Sequence, residues 1–189
     1  MVAAAVAACI AFWPTGGSAP QGAVSPQTIA TSADTPAPGA SSGTAQAIEV
    51  NSVLDDMASS RSELGNAMTA AATCSALADA LPTIQKVVGE RERQLAKAKS
   101  LEVSALDSGD RLKDALTRAL QASLDADRAY LKWATNAQGC SGDTPSDSDL
   151  GRGNSISENQ ATPAKEEFLG LWTPIARQEG QPGRDRDHI

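Results

Sequence analysis

Residues 110–140 read DRLKDALTRALQASLDADRAYLKWATNAQGC, and the spacing of their apolar residues decides the fold. Leu112, Leu116, Ala119 or Leu120, Leu124, Leu131 and Ala134 recur at the period of one helix face. Asp127 interrupts that stripe, and Tyr130 and Trp133 lie beside it near its far end. Ser108 or Asp110 is the expected N-terminal cap, because a short polar side chain can accept from the unpaired N–H groups of the first turn. Gly139 is the expected stop, and Cys140 follows it at once.

Working back toward the N-terminus, Ser104–Gly109 is a break in which Leu106 is expected to tuck inward. Before it, Leu81, Ile84, Val88, Leu95 and Ala98 form a second stripe with Arg91 in its middle. Pro82 fits only the first turn of a helix, so this helix is expected to begin near Leu81, with Ser75–Ala80 as a corner. Earlier still, Val50, Leu54, Met57, Leu64, Met68 and Ala71 form a third stripe, interrupted by Arg61, on a helix from about Gln46 to Thr73. Helices of similar length joined by short corners run up, down and up. The ends of the first and third helices then share one pole, where Cys74 and Cys140 fall, and a disulfide between them is expected in an oxidising compartment. The alternative is a pair of buried reduced thiols.

Outside the block 46–140 the composition changes. Residues 1–13, MVAAAVAACIAFW, carry no charge and read as a truncated membrane anchor or signal remnant whose basic start lies upstream of Met1. Val6–Cys9 also resembles a lipobox, but Ile10–Trp13 continue the apolar run where a lipoprotein turns polar. Residues 14–45 are mostly Pro, Ser, Thr, Gly and Ala with one charge, Asp34, and are expected to be a disordered spacer. Residues 141–160 read as a disordered acidic linker, and 177–189 as a loose, disordered tail. Between them, residues 161–176 form a short amphipathic helix with Thr162 as cap and Pro163 in its first turn, which Pro174 should end or kink. Phe168, Leu171 and Trp172 give it an apolar face, and a helix this short is marginal in water unless it docks. The expected dock is the groove of the three-helix core, making an all-α antiparallel bundle of four helices. Docking onto a separate partner is the alternative.

The chemistry the sequence offers is narrow. His188, in the C-terminal segment, is the single histidine, so a histidine-based triad or metal site inside the core is excluded. There is no P-loop, GxGxxG, CxxC or HExxH motif, and no cofactor or metal ion is expected. A net charge of -7 without a basic patch argues against nucleic acid as a partner. Arg61 and Arg91 stand above this background, because a guanidinium in an apolar seam must either reach the surface or meet a carboxylate. One reading pairs them with Glu63, Asp125 or Asp127. The other makes them an anion-binding pocket between helices.

The Ala-rich block ending in Trp133 to Gly139–Cys140, together with the late segment Phe168–Leu169–Gly170–Leu171–Trp172–Thr173–Pro174–Ile175–Ala176, resembles secreted or membrane-anchored actinobacterial helical proteins of unknown function. The resemblance covers about residues 46–178 and implies an extracytoplasmic location without implying a reaction. The expected function is therefore a non-enzymatic, membrane-tethered interaction or envelope-associated module, with an envelope protein as its candidate partner. The alternative is a sensor domain that binds a small anion through Arg61 and Arg91.

Overall fold

The computed structural model describes residues 41–189. The apolar segment 1–13 and the spacer up to residue 40 lie outside the described residues. Ser41 ends the spacer by capping the first helix, its hydroxyl accepting from the backbone N–H of Thr44 at 3.2 Å. Helix α1 (Ser42–Ala70) therefore begins a few residues before the expected start at Gln46, and residues 42–45 belong to it rather than to the spacer. It buries Ala47, Val50, Val53, Leu54 and Met57 on one face.

Helix α2 (Cys74–Ser100) starts immediately at the cysteine, so the corner expected at Ser75–Ala80 is helical. Leu77 and Ala80 are buried and extend the stripe of Ile84 by two positions, which draws this turn into the helix. Pro82 lies inside the helix on an exposed face. The carbonyl it frees belongs to exposed Ala78, where water can satisfy it. Pro174 is accommodated in the same way within the last helix, facing solvent above exposed Gly170, and does not end it.

The corner between α2 and helix α3 (Gly109–Asn136) buries Leu101, Val103 and Leu106. Ser108 sits at the N-cap with φ 51° and makes no side-chain cap, so neither expected hydroxyl nor carboxylate cap forms. The turn depends instead on Gly109, where a Cβ would fall 2.0 Å from the carbonyl oxygen of Val103.

The stretch expected to be a disordered linker contains helix α4 (Ser148–Ile156). Asp147 caps it, accepting from the backbone N–H groups of Asp149 and Leu150 at 2.8 and 3.0 Å. Glycine at 153 lets the Tyr130 ring of α3 come close, since a Cβ there would lie 2.5 Å from Tyr130 Cε1. A π-helical turn at Ser157–Ala161 joins α4 to helix α5 (Thr162–Gln178), and the residues at both junctions keep α-region backbone. Residues 148–178 thus run as one rod down α3, completing the four-helix bundle that the sequence predicts.

Residues 179–189 are also seated rather than loose. Arg184 donates to Asn51 Oδ1 and pairs with Asp55 on α1, and Ile189 is fully buried in the main core cluster. Phe168 and Trp172 of α5 are fully buried in the same cluster with ring centroids 6.3 Å apart, while Leu171 is only partly buried against it. Trp172 Nε1 has no hydrogen-bond partner, so this side chain contributes through volume.

At one pole Cys74 and Cys140 are joined as a disulfide, with Cα atoms 5.5 Å apart and a sequence separation of 66. A loop of this length gives about 4 kcal/mol in the chain-entropy model. The pole is tightened by Thr144, whose N–H donates to Ala72 O and whose hydroxyl donates to Ala71 O. Trp133 Nε1 donates to Pro145 O at 2.8 Å.

Substituting Gly153→Ala should force α4 away from Tyr130 and cost about 1–3 kcal/mol, the usual range for overpacking. Urea unfolding by circular dichroism would register this, and an unchanged midpoint would show that α4 is not held against α3.

Candidate functional site

The bundle has two apolar clusters. One gathers Val50, Leu54, Met57, Leu116, Phe168 and Trp172, and the other gathers Ala67, Leu77, Ile84, Trp133 and Ala137 toward the disulfide. Between them lies a polar layer. It contains Ser60, Arg91, Gln94, Ser123, Asp127 and Lys165, all buried, and each occupies a stripe position where an apolar residue would otherwise stand.

The layer is wired by hydrogen bonds across three helices. Arg91 Nε donates to Asp127 Oδ2 at 3.2 Å, with both side chains less than 5% exposed. Arg91 Nη1 donates to Gln94 Oε1 at 2.9 Å. Gln94 Nε2 donates in turn to Ser60 Oγ at 2.8 Å and to the Asp56 carbonyl at 2.9 Å. Ser60 Oγ donates to Glu90 Oε2 at 3.0 Å, and Glu90 also pairs with Lys86 at the surface. On α5, Lys165 Nζ donates to the main-chain oxygen of Ile189 at 2.7 Å.

A cavity of about 80 Å³ opens in this layer between the helices. Arg61, Arg91, Asp127 and Lys165 are its charged walls, and Ser123 and Tyr130 are among its hydroxyl-bearing ones. Ser123 is 6% exposed and its Oγ has no hydrogen-bond partner. An unmet buried hydroxyl costs about 1–3 kcal/mol. The π-helical turn borders the cavity through Ser157 and Ala161. Such turns displace one stretch of helix face relative to the next and are frequent at functional sites.

Burial pushes the Asp127 carboxyl above the ordinary aspartate range; the Arg91 guanidinium pulls it back without prevailing. Burial likewise raises the Tyr130 phenol, against a lowering contribution from Ser157. Tyr130 is therefore a neutral donor at physiological pH, and its hydroxyl donates to Asn154 Oδ1 at 3.0 Å.

Of the residues singled out in the sequence, Arg61 and Arg91 line the same cavity. They do so unequally, because Arg61 is an exposed residue at its edge while Ser60 holds the buried position on α1. Of the carboxylates considered as partners, Asp127 meets Arg91, Glu63 pairs with Lys86, and Asp125 pairs with Arg128. Sequence reasoning missed Ser60, Gln94, Ser123 and Lys165. A signal existed for Lys165, which precedes Phe168 by three and Trp172 by seven and so interrupts the stripe of α5 as Arg91 does that of α2.

Among the described residues no cluster of histidine, cysteine, aspartate and glutamate could hold a metal ion, and no helix is long and apolar enough to cross a membrane. No family model, curated protein or solved structure matches the chain.

Replacing Arg91 alone with methionine should destabilise the protein by about 3–5 kcal/mol at neutral pH, because Asp127 would be left buried without its counter-charge. The double variant Arg91→Met/Asp127→Leu should recover most of that loss, and equal losses in the single and double variants would show that the pair is not coupled.

The raised Asp127 carboxyl also fixes a pH dependence. The folded state holds that proton more tightly than the unfolded chain, so its contribution is complete below the ordinary aspartate value and is lost as pH rises through the raised one. Urea midpoints should decline over that acid range, and Asp127→Asn, which cannot ionise, should flatten the decline. An identical slope in the variant would place the titration elsewhere.

Proposed function

We propose that this protein is a non-enzymatic, extracytoplasmic helical-bundle module, held near the membrane by the segment that precedes the bundle and associated with an envelope protein. The observation that carries this reading is the Cys74–Cys140 disulfide, since such staples persist in oxidising compartments. The apolar residues 1–13 and the Pro/Ser/Thr spacer suit a tether, and the resemblance to secreted or membrane-anchored actinobacterial proteins suits an envelope setting.

A second reading, a sensor domain for a small anion, is favoured by one specific observation: Arg61 and Arg91 border a common cavity. In that reading the ligand enters the polar layer between the two apolar clusters, where a change in packing would be felt by all the helices.

The first reading is tested by trapping free thiols in intact source cells and mapping the peptides by mass spectrometry without reductant. Cys74 and Cys140 are expected as a linked pair throughout the population. Recovery of both as alkylated thiols would remove the extracytoplasmic assignment.

A further inference from the structure

We propose that the cavity beside Ser123 is a binding site for a compact monovalent anion of three or four heavy atoms, of the nitrate or formate class. The proposal rests on the sensor reading and deepens it by naming the site's donor and the size of its ligand.

Four observations converge on this site. First, its size is limiting: at about 30 Å³ for each water, the 80 Å³ present holds two or three waters or one anion of a few heavy atoms. Second, Ser123 Oγ is buried at the wall with its hydrogen-bonding capacity unused, and a hydroxyl rotates freely to donate to an anion. Third, Arg61, Arg91 and Lys165 line the cavity together with Asp127. Arg91 is partly committed to Asp127 and Gln94, and Lys165 to the Ile189 oxygen, so these cations are fixed in place rather than free to swing into solvent. A cation positioned beforehand in a water-poor site acts on an anion more strongly than one on a flexible surface chain. Fourth, the only π-helical turn among the described residues borders this cavity.

The geometry also assigns different roles to the walls. Ser123 supplies the hydrogen bond that is otherwise missing. Arg91 and Lys165 supply fixed positive potential, and Arg61, the exposed member, lies where an anion would enter from solvent.

The test uses the full chain, with thermal unfolding and titration calorimetry in sodium nitrate and sodium formate, and with sodium phosphate at matched ionic strength for comparison. Nitrate or formate should raise the midpoint saturably, and phosphate should not. Ser123→Ala should weaken the affinity about tenfold or more, as loss of a hydrogen bond to a charged group does. The same variant should leave the anion-free midpoint unchanged or higher, because it removes an unpartnered hydroxyl, so a folding defect cannot imitate the expected result. A response retained in Ser123→Ala but lost in Arg61→Gln would overturn the assignment of Ser123 as the donor while leaving the sensor reading in place. No saturable response to any of the anions would mean that the cavity holds water only, and would overturn both.

Discussion

The Arg91–Asp127 pair crosses the interior from α2 to α3, and the alignment of these helices depends on it. Their apolar faces are rich in alanine and leucine, and such faces pack acceptably in more than one register. A slip of one turn, about 5.4 Å, would separate two buried charges and leave each facing hydrocarbon. The pair adds little stability over an apolar replacement, yet every misaligned packing that breaks it is strongly disfavoured. Gln94 and Ser60 carry the same constraint on to α1, so three helices share one level.

The polar layer divides the core into clusters held by different means. The larger cluster contains the two stacked aromatics of α5 and is closed along α1 by the segment that ends in Ile189. The smaller one sets alanines around Leu77, Ile84 and Trp133. It lies next to the disulfide, where a covalent link adds to what burial supplies. The disulfide and the buried pair are therefore complementary, one fixing which helix ends meet and the other fixing the level at which the helices meet.

Much of this arrangement was legible in the sequence. Apolar residues at helical spacing identified α1, α2 and α3, and the interruptions at Arg61, Arg91 and Asp127 drew attention to charges in the seams, of which Arg91 and Asp127 are buried together. Three features were hidden for identifiable reasons. Helix α4 has two glycines and few apolar residues, so its own pattern is weak; it forms because Asp147 caps it and because Gly153 accepts the face of Tyr130. The first turns of α2 were obscured by Pro82, whose cost depends on whether its freed carbonyl faces water. The polar segment 179–189 has almost no apolar content beyond Ile189, and only the groove along α1 gives Arg184 and Ile189 their partners.

By itself, the sequence determined the helix periods, the up-down-up order and the placing of the two cysteines at one pole, because these follow from local spacing and loop length. Only the tertiary structure decided which charges meet, which hydroxyl is left without a partner, and where the helices leave a cavity. The physical reason is that a stripe position states that a side chain points inward, whereas hydrogen-bond partners and empty volume depend on the rotation and level of neighbouring helices. Ser123 illustrates the difference: in the chain it is one serine beside an apolar stripe, and in the bundle it is a buried donor facing a space that Arg61, Arg91, Lys165 and Asp127 also line.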